Sequence, residues 1–191
     1  MSVTELIATI AGFLCLLLLV RQSIWNFPFA IVQVVLSGYV FYTQRLYSDV
    51  ILQVFFVILN VYGWIHWSRG RRESQLPVTR MSAAAMLGWS AATLVLTAAW
   101  GAFAKYQLHA AAPFLDGFIL VGSLAAQWLT ARKKLESWWL WVVVDFVAVP
   151  LYASRGLWFL SALFATFIVL CLLGLREWRQ SITPAPAAAG V

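Results

Sequence analysis

Hydrophobic residues fall in seven long runs separated by short polar breaks, at residues 3–20, 26–43, 47–67, 81–103, 112–131, 137–154 and 157–175. Each is long enough, or nearly so, to cross a bilayer, since about 20 residues at a rise of about 1.5 Å cover a hydrocarbon core of about 30 Å. The pattern predicts an all-α membrane protein with seven transmembrane helices. The first run lacks a basic leader and passes into Arg21 without a small-residue cleavage pattern, so it is expected to be a retained helix.

Positive charge turns this pattern into a topology. The runs are followed in order by Arg21; by Arg45; by Arg69, Arg71, Arg72 and Arg80; by Lys105; by Arg132, Lys133 and Lys134; by Arg155; and by Arg176 with Arg179. Seven crossings sort Arg45, Lys105 and Arg155 to one side and the other ten of the 13 basic residues to the opposite side. The positive-inside bias then places the N-terminus outside and the C-terminus in the cytoplasm.

Composition agrees with a polytopic chain: of 191 residues, 63% are hydrophobic and 10% charged, with mean hydropathy +0.85. A net charge of +6 would suggest nucleic acid in a soluble chain, but these cations belong to membrane loops, and no nucleic-acid partner is expected. Cys15 and Cys171 lie inside apolar runs without further ligands at metal spacing, and read as small core residues. Residues 183–191, rich in Ala and Pro, have too little apolar periodicity to pack and are expected to be disordered.

An internal repeat organises the runs. Shifting the chain by 111 positions lays Arg21 on Arg132, Leu46 on Leu157, Tyr47 on Trp158, Phe56 on Phe167, Gly63 on Gly174 and Trp67 on Trp178. One unpaired run separates the halves, so both three-helix units have the same orientation in the membrane. The expected architecture is two parallel three-helix repeats joined by a linker helix, three plus one plus three, as in SWEET-type transporters, with a substrate site at the repeat interface near the midplane. The units fall at residues 1–75 and 109–178, the linker at 76–108 and a cytoplasmic tail at 179–191.

Candidate chemistry centres on the sixth run, where Trp138-Trp139-Leu140-Trp141-Val142-Val143-Val144-Asp145 sets an acid amid apolar sequence. An ionised carboxylate at that depth costs about 2.5 to 3.5 kcal/mol on insertion scales, so it is expected to face a cavity or a partner. Every Lys and Arg falls in or beside a predicted loop, so no intramembrane cation from this chain is available to Asp145. The alternative is a structural acid paired across helices. Trp141, one turn before Asp145, shares its face.

The third run places Gln53, Phe56, Asn60, Gly63, Trp64 and Trp67 on one helical stripe. Amides separated by aromatics suit a flat, polar-edged ligand, and Asn60 and Trp64 are expected to face it. Gln53 fits this reading and an ordinary helix-packing seam equally. Gln33 is a weaker cavity candidate. Trp25 and Trp178 read as interfacial anchors, and Pro28 fits a first helical turn. Asp116, shortly after Pro113, reads as a capping or gate residue, and Gln127 as an inner-gate residue. His66 and His109 are expected near opposite membrane faces. No predicted span carries a lysine, which excludes a retinal-type Schiff base. No GxSxG, HExxH, Walker or dinucleotide motif is present, and one buried acid lacks the second group that an acid–base enzyme needs. No enzymatic activity, metal or cofactor is expected.

Leu46-Tyr47 with Gln53, the segment from Tyr62 to Trp67, Arg132 to Trp138, Trp141 to Asp145, Leu151-Tyr152, Gly156-Leu157 and Gly174 together resemble the PnuC family of vitamin transporters, over nearly the whole chain. The resemblance implies a SWEET-like fold, a homotrimer in the bacterial inner membrane, and facilitated diffusion of nicotinamide riboside, trapped by cytoplasmic phosphorylation. The expected site lies near the midplane between the two three-helix units and contains Trp141, Asp145, Asn60 and Trp64, with Gln53 and Phe164, and Tyr152 joins the gate candidates. The family signature pairs Trp141 with Asn or a similar polar residue at the position of Asp145, so the substrate stays open among nicotinamide riboside, thiamine and riboflavin. The first two carry ring cations that suit a carboxylate beside an indole. A proton-coupled carrier and a non-transporting scaffold are the rival classes.

Overall fold

The structure, a computed structural model, describes residues 3–43, 47–73, 76–107 and 111–182, with side chains for all of these except 47–48 and 70–73. They form seven helices: α1 (Val3–Val20), α2 (Asn26–Thr43), α3 (Tyr47–Glu73), α4 (Ala83–Gln107), α5 (Pro113–Ala131), α6 (Ser137–Ser154) and α7 (Trp158–Gln180). Each is long and apolar enough to span a membrane. The apolar runs and the helices coincide at α1, α2 and α6, whereas α3, α4 and α7 run on past the last apolar residue. Nothing obliges a helix to stop where hydrocarbon ends: Arg, Glu and Gln are good helix formers in water. The extension takes Lys105 into the last turn of α4. Arg45, His109 and the tail from residue 183 lie outside the described residues.

Six helices close a ring in which α1 packs on α2, α2 on α3, α3 on α5, α5 on α6, α6 on α7, and α7 back on α1. Among the described residues α4 packs on α5 alone, outside the ring. Exchanging α1, α2 and α3 for α5, α6 and α7 maps every contact of the ring onto another.

The offset of 111 recurs in local geometry. Gln22 and Lys133, 111 positions apart, both turn the chain with positive φ, 54° and 53°. Such φ is uncommon outside glycine, so its appearance at matched positions reflects one turn built twice. The flanking hydrogen bonds also correspond: Gln22 N–H to Leu19 O and Lys133 N–H to Thr130 O are both 2.9 Å. At the start of α2, Phe27 packs edge-on against Trp67 at 5.1 Å and 89°; at the start of α6, Trp138 packs against Trp178 at 5.3 Å and 90°. Each of these first-turn rings lies against a glycine of the following helix, Phe27 on Gly63 and Trp138 on Gly174. A Cβ at either glycine would overlap the ring.

This packing corrects one expectation. Trp178 is not an interfacial anchor: it is fully enclosed, at 0% exposure, and its indole N–H donates to Leu19 O at 3.1 Å. A Trp near the end of a span satisfies its N–H in the headgroup region or against a backbone carbonyl, and here α1 supplies the carbonyl. Trp25 does remain open, at 63% exposure. Leu19, Phe27, Trp67, Leu135, Trp138, Cys171 and Trp178 form a common apolar core at the end of the bundle where α1 meets α2 and α5 meets α6.

The loop from α3 to α4 is fastened over that core. Thr79 N–H donates to Lys133 O at 3.1 Å, and Leu135 N–H to Thr79 O at 3.0 Å. The Lys133 ammonium donates to Leu76 O at 2.7 Å and lies 4.7 Å above the Trp67 ring. Glu136 accepts the Met81 N–H at 3.0 Å, just before α4 begins.

Candidate functional site

Asp145 lies near the middle of α6, eight residues or about 12 Å from its start, and is 3% exposed. Its hydrogen-bond partner is the Cys171 thiol of α7, which donates to Oδ2 at 3.8 Å. A thiol is a weak donor, so most of the carboxylate's capacity to accept is unspent. The ion pair among the described residues, Arg155 to Asp116, lies elsewhere. The acid therefore faces inward, with no basic side chain of the described residues paired to it.

One turn before Asp145, the half-buried Trp141 donates its indole N–H to the Thr130 hydroxyl of α5 at 3.1 Å, and this fixes the plane of its ring. One turn before Thr130 on the same helix, Gln127 donates to the side-chain oxygen of Asn60 at 2.9 Å. Asn60 is 3% exposed and passes its own N–H to Phe56 O at 2.8 Å within α3. A row of three hydrogen-bonded pairs thus crosses four helices, each pair one helical turn from the next: Asn60 with Gln127, Thr130 with Trp141, and Asp145 with Cys171. Its two ends, Asn60 and Cys171, are themselves 111 positions apart.

Gln53 and Phe164 are related by the same offset and sit outside this row. Gln53 packs on Gly38 of α2, and its buried side-chain oxygen has no hydrogen-bond partner. Phe164 packs on Tyr152 at 5.1 Å and on Phe167 at 5.9 Å, and Phe167 reaches Phe13 of α1 at 5.4 Å. Asp116 and Arg155 are bonded at 2.7 Å near the end of the bundle where α5 begins and α6 stops, with side chains 37% and 35% exposed. The pairing holds Arg155 above its ordinary pKa.

Trp64, one turn after Asn60 on α3, is the more open of the two. It is 40% exposed and borders an open depression of about 320 Å³ with Ile65, Ser68 and Arg69. At about 100° per residue, Phe56, Asn60, Gly63 and Trp67 share a direction from which Trp64 is rotated by about 70°. Gln33 packs against Gly12 of α1 rather than joining the row.

Sequence reasoning passed over Thr130 and Cys171 as partners of Trp141 and Asp145. Thr130 stands three residues after Gln127, on one face of the fifth run, and Cys171 stands at the repeat position of Asn60; each signal was present. It also missed a stack at the α3–α5 seam. His66, Tyr62 and Trp128 lie nearly parallel, with centroids 5.7 and 5.0 Å apart, and Arg132 caps Trp128 at 5.7 Å.

Over residues 2–180 the chain matches the family described as nicotinamide mononucleotide transporter. It is 30% identical over 207 residues to the nicotinamide riboside transporter PnuC of Escherichia coli K12, covering 95% of this chain and 87% of that protein. It is 29% identical over 189 residues to the riboflavin/roseoflavin transporter RibM of Streptomyces davaonensis, covering 92% and 84%. Among solved structures it is similar to the crystal structure of the vitamin B3 transporter PnuC, with a TM-score of 0.75 and 24% identity, over 94% of this chain and 81% of that one.

Proposed function

This chain belongs to the nicotinamide mononucleotide transporter family, and on that premise we propose that it takes up nicotinamide riboside by facilitated diffusion, the substrate being trapped by phosphorylation in the cytoplasm. It is a vitamin transporter of the family and a multi-pass inner-membrane protein, not an enzyme. The observation that carries the substrate reading is Asp145: an inward-facing acid, one turn from an indole whose plane is fixed, with only a thiol spending its charge.

In this reading Trp141 stacks on the cationic ring of the substrate and Asp145 balances its charge, an arrangement worth more in a site emptied of water than at a surface. Asn60 contributes a directional polar contact from the α3 side, with Gln53 and Phe164 toward the other end. Trp64 stays at the periphery. Gln127, Asp116 and Tyr152 serve as gate residues. The units α1–α3 and α5–α7, linked by α4 as three plus one plus three, rock against one another to give alternating access. The two-fold pattern of the helix ring supports this division. The protein works as a homotrimer with its N-terminus outside and its C-terminus in the cytoplasm.

Counterflow in proteoliposomes tests the substrate, with labelled nicotinamide riboside, thiamine and riboflavin offered in parallel. Saturable exchange of nicotinamide riboside above the other two is expected. Riboflavin is the second reading, favoured by the similarity to RibM, and preferential riboflavin exchange would replace the first. Uptake that collapses with an uncoupler would instead make Asp145 a proton site. Absence of any saturable flux would mean a scaffold.

A further inference from the structure

The linker helix breaks the two-fold pattern, and a cavity of about 330 Å³ lies where it does so, bordered by Arg80, Ser82, Trp89, Trp128, Arg132 and Lys134. Arg80 and Ser82 lead into α4, Trp89 is on its second turn, and the other three come from the end of α5 and the turn after it. The Ser82 hydroxyl accepts the Ala85 N–H at 3.2 Å, so the first turn of α4 opens beside the cavity. Among the described residues none of Arg80, Arg132 or Lys134 makes an ion pair. The nearby Glu136 carboxylate is engaged by the Met81 N–H. Arg132 donates to the Tyr62 hydroxyl at 3.4 Å and lies over the Trp128 ring, which leaves its positive charge without a counter-charge, so three cations beside the positive end of a helix form an anion-attracting concavity.

The repeat supplies an internal control. The positions equivalent to Trp128, Arg132 and Lys134 are Leu17, Arg21 and Ser23, and the first half has no counterpart of α4 beside them. Trp128 has a place in the α3–α5 seam through its stack on Tyr62, but Lys134 makes no contact of that kind and stands where the other half has Ser23. A lysine added where α4 packs points to a separate task. Two indoles and the exposed apolar flank of α4 at Leu87, 73% exposed, favour an anion that brings apolar surface with it.

We propose that the α4–α5 cleft binds a phosphate group, held by Arg80, Arg132 and Lys134 and walled by Trp89 and Trp128. An anionic phospholipid headgroup and a free phosphate ion share this chemistry. The test follows thermal unfolding of the purified full-length protein in neutral detergent at constant ionic strength. One arm adds phosphatidylglycerol against phosphatidylcholine, and the other adds inorganic phosphate against chloride. A saturable rise of about 3 °C or more is expected in at least one arm. In the double variant Arg80→Gln with Lys134→Gln the midpoint concentration rises about tenfold or more, while Arg21→Gln leaves it unchanged. A response to phosphatidylglycerol alone identifies a lipid site, and a response to inorganic phosphate identifies a free-phosphate site. No saturable response in either arm, or an equal loss in Arg21→Gln, overturns the proposal, and the wild-type titration decides even if the double variant does not fold.

Discussion

Trp67 and Trp178, 111 positions apart in the chain, meet at 5.9 Å between ring centroids, each with its indole N–H on a backbone carbonyl of the opposite half. Trp67 of α3 donates to Ala131 O at the end of α5, and Trp178 of α7 donates to Leu19 O near the end of α1, both at 3.1 Å. Related residues that touch one another lie at the axis relating them, so this pair is where the two-fold pattern passes through the core. Both rings are buried, and both hydrogen bonds cross between the halves.

Trp178→Phe keeps an aromatic ring but leaves Leu19 O without its donor and a small void where the pyrrole ring stood, and is expected to cost about 1 to 3 kcal/mol. Trp178→Ala adds a cavity and is expected to cost about 3 to 5 kcal/mol. Trp67→Phe should resemble Trp178→Phe. Thermal unfolding in detergent measures all three; a Trp178→Phe variant as stable as wild type would mean that the indole N–H contributes nothing.

Gly174→Ala places a methyl group inside the space of the Trp138 ring, and Gly63→Ala does the same to Phe27. Trp138 is itself boxed in at 1% exposure, so it cannot step aside without disturbing Trp178. Each substitution is expected to destabilise by about 1 to 3 kcal/mol. Far-ultraviolet melting curves of the two variants check it, and Gly88→Ala, where a Cβ would meet nothing within 4 Å, is the control expected to match wild type.

Asp145→Ala should weaken substrate binding in detergent by about tenfold or more, the range expected when a charged hydrogen-bond partner is lost. Gln53→Ala, which removes an amide outside the row of hydrogen-bonded pairs, should cost less. Isothermal titration with nicotinamide riboside separates them. Equal affinity of Asp145→Ala and wild type would remove Asp145 from the site.

Stability should rise with pH through Lys133. Burial against the core lowers its pKa to about 8, whereas an unfolded lysine titrates at about 10.4. Between these values the unfolded chain holds a proton that the folded chain has released, so the unfolding free energy increases as pH climbs from about 8 to about 10 and levels off above. Lys133→Met should flatten that segment of the melting-temperature profile. An unaltered slope would place the titration elsewhere.

The spans were legible because twenty apolar residues leave a chain few alternatives in a bilayer. The pairing of Gly63 with Gly174 and of Trp67 with Trp178 was legible as matched positions, because similar close contacts demand similar residue types. Asp145 announced itself by its cost in an apolar run. The environment of Trp178 was not legible: a Trp followed by Arg at the end of a span has an anchor's composition, and only the carbonyl of Leu19, far away in sequence, makes it core. Trp64 shows the same limit, since a stripe drawn with a tolerance of one residue takes in side chains at its edge that packing turns outward.

Element identity and membrane character were thus set by local composition and periodicity, which act over one helix at a time. Which groups meet across helices was decided by tertiary packing alone: Gln127 with Asn60, Thr130 with Trp141, Cys171 with Asp145, and the loop from α3 fastened over Lys133. Those contacts depend on how helices rotate and slide until close packing is reached, and a helix's own sequence leaves both motions free.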